Sequence, residues 1–140
     1  MYIYQELAAR AAARNPVQVG LIGAGKFGSM FLSQVPTTPG LEVHTIADLN
    51  PEGAKEACRT VGWTEEQIAR TRFIDDALLL LQTGSIDVVV EATGNPSVGL
   101  VHAREAIRNG LHIVMVNVEA DVLAGPLLAE EAKQAGVVYS

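Results

Sequence analysis

Short apolar runs alternate along the chain with stretches in which apolar residues recur at helical spacing. Each short run is typical of a buried strand, and each longer periodic stretch is typical of an amphipathic helix. The predicted strands are residues 17–22, 43–47, 72–74, 86–91, 111–116 and 137–139. The predicted helices cover residues 25–35, 51–61, 65–70, a short stretch ending at Leu81, 96–109 and 122–135.

Polar residues mark where several of these helices begin. Thr64 and Gln67 have the spacing of a capping box, which predicts a helix start at Glu65. Asp75 or Asp76 can cap the next helix. Ahead of the first strand, Ile3, Leu7, Ala8, Ala11 and Ala12 also recur at helical spacing, so residues 1–15 are predicted to form an N-terminal helix.

Strands that are apolar throughout and alternate with helices are typical of a parallel sheet covered on both faces. We therefore predict an α/β fold with a doubly wound, mostly parallel sheet of the Rossmann type in the order 3-2-1-4-5-6. Residues 16–140 would form this domain, with the N-terminal helix as an addition. Because the last predicted strand ends the sequence, we expect the catalytic and substrate domain to lie outside it and the chain to be a fragment.

The composition narrows the class of protein. The 140 residues are 49% hydrophobic and 19% charged, as expected for a globular domain. The net charge is −6 without a basic cluster, which argues against a nucleic-acid partner. No apolar run is long enough to span a membrane and no secretory signal is evident, so we expect a cytoplasmic protein. The single cysteine, Cys58, fits a reducing compartment and is expected to be a buried structural thiol.

A GxGxxG motif follows the first predicted strand. Its glycines are Gly23, Gly25 and Gly28, with Lys26 and Phe27 between the last two. Gly23 permits the tight turn, Gly25 lets the backbone approach a pyrophosphate, and Gly28 lets the helix pack closely on the strand. Free N–H groups at the start of the helix would then bind the phosphates. The alternative is a glycine turn with a structural role only.

An acidic residue stands where dinucleotide-binding domains hold the adenosine ribose. Asp48 follows the last glycine of the motif by 20 positions and ends the second strand. A carboxylate there accepts hydrogen bonds from the ribose hydroxyls and repels a 2′-phosphate, which favours NAD(H). The nearest bases, Lys55 and Arg59, lie on the next predicted helix. Alternatively, Asp48 caps the turn with Asn50 and Pro51.

Polar residues also follow the fourth and fifth strands, at the crevice where open α/β sheets bind ligands. Thr93, Gly94 and Asn95 leave the fourth strand, and Asn117 and Glu119 leave the fifth. Small and polar side chains there can approach a nicotinamide ribose. A helix-capping role is equally compatible with the sequence for Asn95. For Asn117 and Glu119 the alternative is a capping role at the surface.

No catalytic or metal-binding constellation is evident. His44, His102 and His112 lack metal-ligand spacing and are expected to be structural. The glycine loop therefore leaves three classes of protein open. These are the cofactor domain of an NAD(P)-dependent oxidoreductase, a non-catalytic nucleotide-sensing module, and an S-adenosylmethionine-dependent methyltransferase, against which the third glycine of the motif argues.

Four segments together carry a family resemblance. They read VGLIGAGKFGSMF, IADLNPE, VVVEATGNPSVG and GLHIVMVNVEADVLAGPLLAEEAKQAG. The chain resembles the nucleotide domain of homoserine dehydrogenase-like oxidoreductases, above all the branch with a C-terminal SAF domain. That branch includes enzymes that make 2-C-methyl-D-erythritol 4-phosphate from 1-deoxy-D-xylulose 5-phosphate for isoprenoid biosynthesis.

The resemblance implies roles for residues and a cofactor. Gly23, Gly25 and Gly28 would form the pyrophosphate loop, and Thr93 and Gly94 the nicotinamide-side loop. It implies NADP(H) as the cofactor, whereas Asp48 favours NAD(H), so both cofactors stay open. It also implies a small-molecule substrate, a divalent metal in the absent domain only, and a homo-oligomer.

One departure separates the chain from homoserine dehydrogenases proper. These usually have Asn-Lys after the fifth strand, where this chain has Asn117-Val118. The missing lysine favours the reductoisomerase-like branch, and homoserine dehydrogenase-type hydride transfer is the alternative.

Overall fold

The computed structural model describes residues 2–140, and they form one parallel sheet with helices on both faces. The five strands lie in the order β3-β2-β1-β4-β5, which confirms the predicted order as far as the fifth strand. The strands are β1 (Val17–Ile22), β2 (Leu41–Ala47), β3 (Arg72–Ile74), β4 (Val88–Glu91) and β5 (His112–Met115). The helices are α1 (Ile3–Ala12), α2 (Lys26–Gln34), α3 (Pro51–Thr60), α4 (Glu65–Arg70), α5 (Ala77–Leu81), α6 (Pro96–Arg108) and α7 (Val118–Ala135).

Each face of the sheet has its own apolar core, because successive side chains of a strand point to opposite faces. On β1, Leu21 belongs to the cluster that includes Leu32 and Trp63, whereas Ile22 belongs to the cluster that includes Leu128. The Trp63 indole N–H donates to the Leu32 carbonyl at 2.8 Å, so its one polar group is paired inside the core. Burial on both faces explains why the strands are apolar throughout.

The sixth strand that the sequence predicts at residues 137–139 is not present. A single bridged pair, Ile113 with Tyr139, joins the end of the chain to β5. The reason lies in how α7 ends: Gly136 adopts the left-handed conformation and the Val137 N–H donates to the Ala132 carbonyl. That bond closes the helix in the manner of a Schellman motif, so only the last three residues run beside β5.

Capping residues set the helix boundaries. The capping box of Thr64 and Gln67 is present, and Asp76, not Asp75, caps α5. The last helix begins at Val118, four residues earlier than the prediction of 122, because the Asn117 side chain caps it. Glu119 is therefore in the first turn of α7 and not in the loop where the sequence placed it.

The predicted N-terminal helix is confirmed as α1, and none of its residues is buried. It lies against the start of the sheet, where Gly40 approaches the Leu7 backbone so closely that a Cβ would overlap it. In the described part of the chain, no helix combines the length and the apolar character that crossing a membrane requires.

Candidate cofactor site

A cleft of about 800 Å³ opens at the carboxyl ends of the strands. It lies between β1 and β4, where the strand order reverses direction, which is where open α/β sheets bind ligands. Three groups of residues line it. They are the glycine loop (Gly23, Gly25), an acidic end (Asp48, Asp75, Asp76) and a polar end (Thr93, Asn95, His102).

A second groove of about 870 Å³ lies at the opposite end of the sheet. Pro16, Gln18 and Leu41, at or next to the amino ends of β1 and β2, contribute to its wall. In a parallel α/β fold the carboxyl ends of the helices point this way, and their partial negative charge disfavours phosphate. We therefore place the candidate site in the cleft at the carboxyl ends, although it is slightly smaller.

The glycine loop has the geometry that its sequence predicts. Gly23 has φ +92°, and a Cβ on it would stand 2.8 Å from the Ala92 carbonyl oxygen of the neighbouring loop. A Cβ on Gly28 would overlap the Gly23 carbonyl oxygen. Both positions therefore exclude a side chain, one because of backbone conformation and contact, and the other because α2 starts so close to β1.

Gly25 differs from the other two glycines, since a Cβ built on it meets nothing within 4 Å. It is the N-cap of α2, and among the described residues no side chain caps that helix. Lys26 and Phe27 occupy the exposed first turn, which contains no acidic residue. Open space above free N–H groups at a positive helix end is the arrangement that binds a pyrophosphate. The residues present therefore fit the phosphates of a dinucleotide.

Asp48 has the capping role that the sequence left open as the alternative, and it also binds the glycine loop. One carboxylate oxygen accepts the Ala24 N–H of the glycine loop at 2.9 Å, and the other accepts the Asn50 N–H at 2.8 Å. Asn50, in turn, caps α3 through the Gly53 N–H at 3.0 Å. A carboxylate has about four acceptor positions, so two remain for ribose hydroxyls. Asp48 thus joins the glycine loop to the acidic end of the cleft.

Two more carboxylates, Asp75 and Asp76, line the same end, and the nearby bases are engaged elsewhere. Asp76 Oδ1 accepts the Leu78 N–H at 2.9 Å. Lys55 binds Glu52 at 3.0 Å, and its ammonium lies 5.7 Å from the centre of the Phe73 ring.

The second base, Arg59, is also paired and does not line the cleft. It binds Glu65 at 2.8 Å and Glu56 at 3.1 Å. The acidic end therefore carries negative charge that neither of these bases neutralises.

At the polar end of the cleft, Asn95 and Asn117 are engaged in hydrogen bonds with each other and with helix ends. Asn95 caps α6 through the Val98 N–H at 3.1 Å, which confirms its capping role. Asn117 is buried, and its amide donates to the Asn95 carbonyl at 2.7 Å while its oxygen accepts the Ala120 N–H. Gly94, with φ +74°, makes the turn between Thr93 and Asn95. The structure thus brings Thr93 and Asn95 to the cleft wall, with Gly94 in the turn between them, and places Asn117 behind them.

A glutamate–histidine pair that the sequence analysis did not single out lies behind this loop. Glu91, the last residue of β4, is fully buried, and its Oε1 atom lies 3.2 Å from Nδ1 of His102 on α6. The same oxygen accepts the Thr93 hydroxyl at 2.6 Å. Burial pushes the pKa of Glu91 up, but the hydrogen bonds of His102 and Thr93 and the nearby Asn117 amide outweigh it, so the pKa lies below its ordinary value. An acidic residue closing an apolar strand was the signal available in the sequence.

The other titratable residues that the sequence raised are structural. His44 bonds its neighbour Thr45, and His112 Nδ1 accepts the Val138 N–H at 3.0 Å. Cys58 is completely buried, and burial raises the pKa of its thiol to about 11, which confirms the expected structural role. Among residues 2–140 no three His, Cys, Asp or Glu side chains form a group that could hold a metal ion.

Comparisons with known proteins agree with this geometry. Residues 17–117 match the Gfo/Idh/MocA family, described as an oxidoreductase family with an NAD-binding Rossmann fold. A homoserine dehydrogenase of Neisseria gonorrhoeae is 29% identical over an alignment of 112 residues, and the match covers 74% of this chain and 23% of that enzyme. A 1-deoxy-D-xylulose 5-phosphate reductoisomerase of Shewanella baltica is 31% identical over 93 residues, 66% of this chain and 23% of that enzyme. The chain thus spans about a quarter of these relatives.

Solved structures show the same fold. A homoserine dehydrogenase from Thiobacillus denitrificans superposes on 89% of this chain with a TM-score of 0.74 and 22% identity, and the match covers 29% of that chain. A myo-inositol dehydrogenase from Lactobacillus casei, solved with NAD(H) and myo-inositol, matches 85% of this chain and 34% of its own with a TM-score of 0.68 and 20% identity. At these identities the likeness shows the fold alone.

Proposed function

This chain belongs to the Gfo/Idh/MocA oxidoreductase family with an NAD-binding Rossmann fold, and we propose that it binds NAD(H) and presents the nicotinamide for hydride transfer. The observation that carries the proposal is the layout of the cleft. A phosphate-binding loop lies in the middle, carboxylates lie at one end and a polar loop lies at the other. This is the order in which an extended dinucleotide presents pyrophosphate, adenosine ribose and nicotinamide ribose.

The acidic end of the cleft supports NAD(H) in preference to NADP(H). Asp48, Asp75 and Asp76 face the position of the adenosine ribose, where a 2′-phosphate would add about two negative charges. An NADP(H) site normally offers an arginine there, but Lys55 and Arg59 are paired with glutamates of their own surface. Like charges at short range, without a cation between them, disfavour the phosphorylated cofactor.

The finer assignment concerns the reaction. We place conversion of 1-deoxy-D-xylulose 5-phosphate to 2-C-methyl-D-erythritol 4-phosphate, in the SAF-domain branch, ahead of homoserine dehydrogenase-type hydride transfer. Val118 supports this order, because it stands where homoserine dehydrogenases carry a lysine. The two kinds of relative are similar at nearly equal identity, so the comparisons support both. Either reaction requires a substrate domain, and any divalent metal would be held in that domain. We also propose that the protein forms a homo-oligomer.

A titration of the protein with NADH and NADPH, followed by nicotinamide fluorescence, tests the proposed function. We expect saturable binding of NADH with a dissociation constant in the micromolar range and weaker binding of NADPH by at least about tenfold, equivalent to ~1.4 kcal/mol. Binding of neither cofactor at millimolar concentration would refute the proposal. Tighter binding of NADPH would refute the role that we assign to the acidic end.

A further inference from the structure

A charged carboxylate buried behind the polar end of the cleft requires an explanation. Glutamate is almost never fully buried unless it is paired, yet Glu91 is 0% exposed. Its Oε1 atom is the acceptor for the Thr93 hydroxyl at 2.6 Å and lies 3.2 Å from His102 Nδ1. Its Oε2 atom is buried and has no hydrogen-bond partner among the described residues. Among the described residues, only the Oε1 atom of this carboxylate therefore accepts hydrogen bonds.

The residues around the Glu91 carboxylate pack closely against it. A Cβ on Gly99 would stand 3.1 Å from Glu91 Oε2 and 2.5 Å from Asn117 Nδ2. Helix α6 can therefore approach the carboxylate only because residue 99 has no side chain. The Asn117 amide in turn holds the Asn95 carbonyl. The β4 end, the first turns of α6 and the cap of α7 thus meet at one carboxylate.

Stability alone does not account for this arrangement. Replacing a buried ionic group by a well-packed apolar one is often neutral or stabilising, so a charge in a core is poor evidence of a stabilising role. The groups that Glu91 binds have something else in common: Thr93 and His102 both line the cleft at its polar end. If Nδ1 of His102 carries the proton that faces the carboxylate, Nε2 is left as a hydrogen-bond acceptor.

We propose that Glu91 is a positioning residue for the nicotinamide half of the cofactor, since it holds the Thr93 hydroxyl and the His102 ring in the cleft wall. The inference rests on the proposed function. It assigns His102 as the residue whose ring accepts a hydrogen bond from the nicotinamide carboxamide. The glycine loop and the acidic end bind the other half of the cofactor without help from this network.

The test compares two ligands that differ only at that end. ADP-ribose has the adenosine, the pyrophosphate and the second ribose but no nicotinamide, so its binding reports the rest of the cleft. For Glu91→Gln we expect NADH affinity to fall about tenfold and ADP-ribose affinity to change less than about twofold. Glu131→Gln, a substitution of the same kind at a surface ion pair with Arg104, is the control and should change neither affinity.

A second variant makes the test independent of how well a core substitution folds. Thr93→Val keeps the shape of an exposed side chain and removes the hydroxyl that donates to Glu91. It should lower NADH affinity selectively, as Glu91→Gln does. An equal loss of both ligands, or no loss of either, in the two variants would overturn the inference and leave the proposed function standing. Failure of the unsubstituted protein to bind either ligand would overturn both.

Discussion

Substitution of Asp48 by asparagine should change cofactor preference and not only affinity. The carboxylate accepts two backbone N–H groups, from Ala24 at 2.9 Å and Asn50 at 2.8 Å. An asparagine keeps the shape but has only one acceptor oxygen, so it can keep one of these two backbone hydrogen bonds and offers the ribose hydroxyls no carboxylate. Loss of hydrogen bonds to a charged group should weaken NADH binding by about 1–2 kcal/mol.

The same substitution removes a repulsion that only NADPH feels. Two unit charges 4 Å apart interact by about 1 kcal/mol in water and about 4 kcal/mol at an effective dielectric constant near 20. The cleft is open to solvent, so the lower end applies and we take ~1–2 kcal/mol for a doubly charged phosphate. The free-energy preference for NADH over NADPH should therefore fall by ~3 kcal/mol, which lowers the ratio of the two affinities roughly a hundredfold.

The assay is a pair of fluorescence titrations at fixed ionic strength, because screening weakens the repulsive part. Asp87→Asn is the matched control, since Asp87 also accepts a backbone N–H, that of Gln18 at 2.8 Å, but lies outside the cleft. Affinities for NADH and NADPH that fall by the same factor in Asp48→Asn would show that the residue only braces the loop. An unchanged NADH affinity would return it to a capping role.

Four further outcomes follow from the structure. Gly25→Ala should fold with its midpoint of thermal unfolding unchanged, because its φ is −76° and the space around it is open, yet lose about tenfold in NADH affinity. Gly28→Ala should instead destabilise the fold by about 1–3 kcal/mol in urea unfolding, since its Cβ would overlap the Gly23 carbonyl oxygen; equal stability of the two variants would contradict this. Cys58, with a pKa of about 11, should not react with a thiol reagent at pH 8 until denaturant is added, and rapid native labelling would contradict its burial. Because the folded-state pKa of Glu91 is depressed, its ionisation stabilises the fold above the ordinary pKa of 4.5 and ceases to do so as the pH falls below that value. The free energy of unfolding should therefore depend less steeply on pH between pH 5 and 3 in Glu91→Gln than in the unsubstituted protein. Parallel profiles would contradict the depressed pKa.

Local patterns were sufficient to predict most of the fold. Apolar runs, helix caps and glycine positions act within a few residues of one another, so the five strands, the capping box at Thr64 and the steric roles of Gly23 and Gly28 could be predicted from the sequence. The sixth strand could not. Whether Val137 joins a sheet or closes α7 depends on a hydrogen bond to Ala132, which apolar character does not reveal.

The candidate site was harder to predict because it depends on distant contacts. Asp48 was recognised from its spacing, but its bond to Ala24 crosses 24 positions. The pairing of Glu91 with His102 requires the orientation of α6 against β4, and only the unusual acid at the end of an apolar strand hinted at it. Asn117 was predicted to face the crevice, whereas its side chain is buried in the cap of α7 and bound to Asn95.

Backbone amide shifts measured by NMR during titration with NADH test the central claim most directly, since they report which of the two grooves holds the cofactor. We predict that the largest shifts fall in the glycine loop at Gly23, Ala24 and Gly25 and extend to Asp48 and Thr93. Residues of the opposite groove, such as Gln18, His44 and Arg70, should stay unchanged. Shifts confined to that opposite groove, or none at saturating NADH, would contradict the assignment of the cleft as a dinucleotide site.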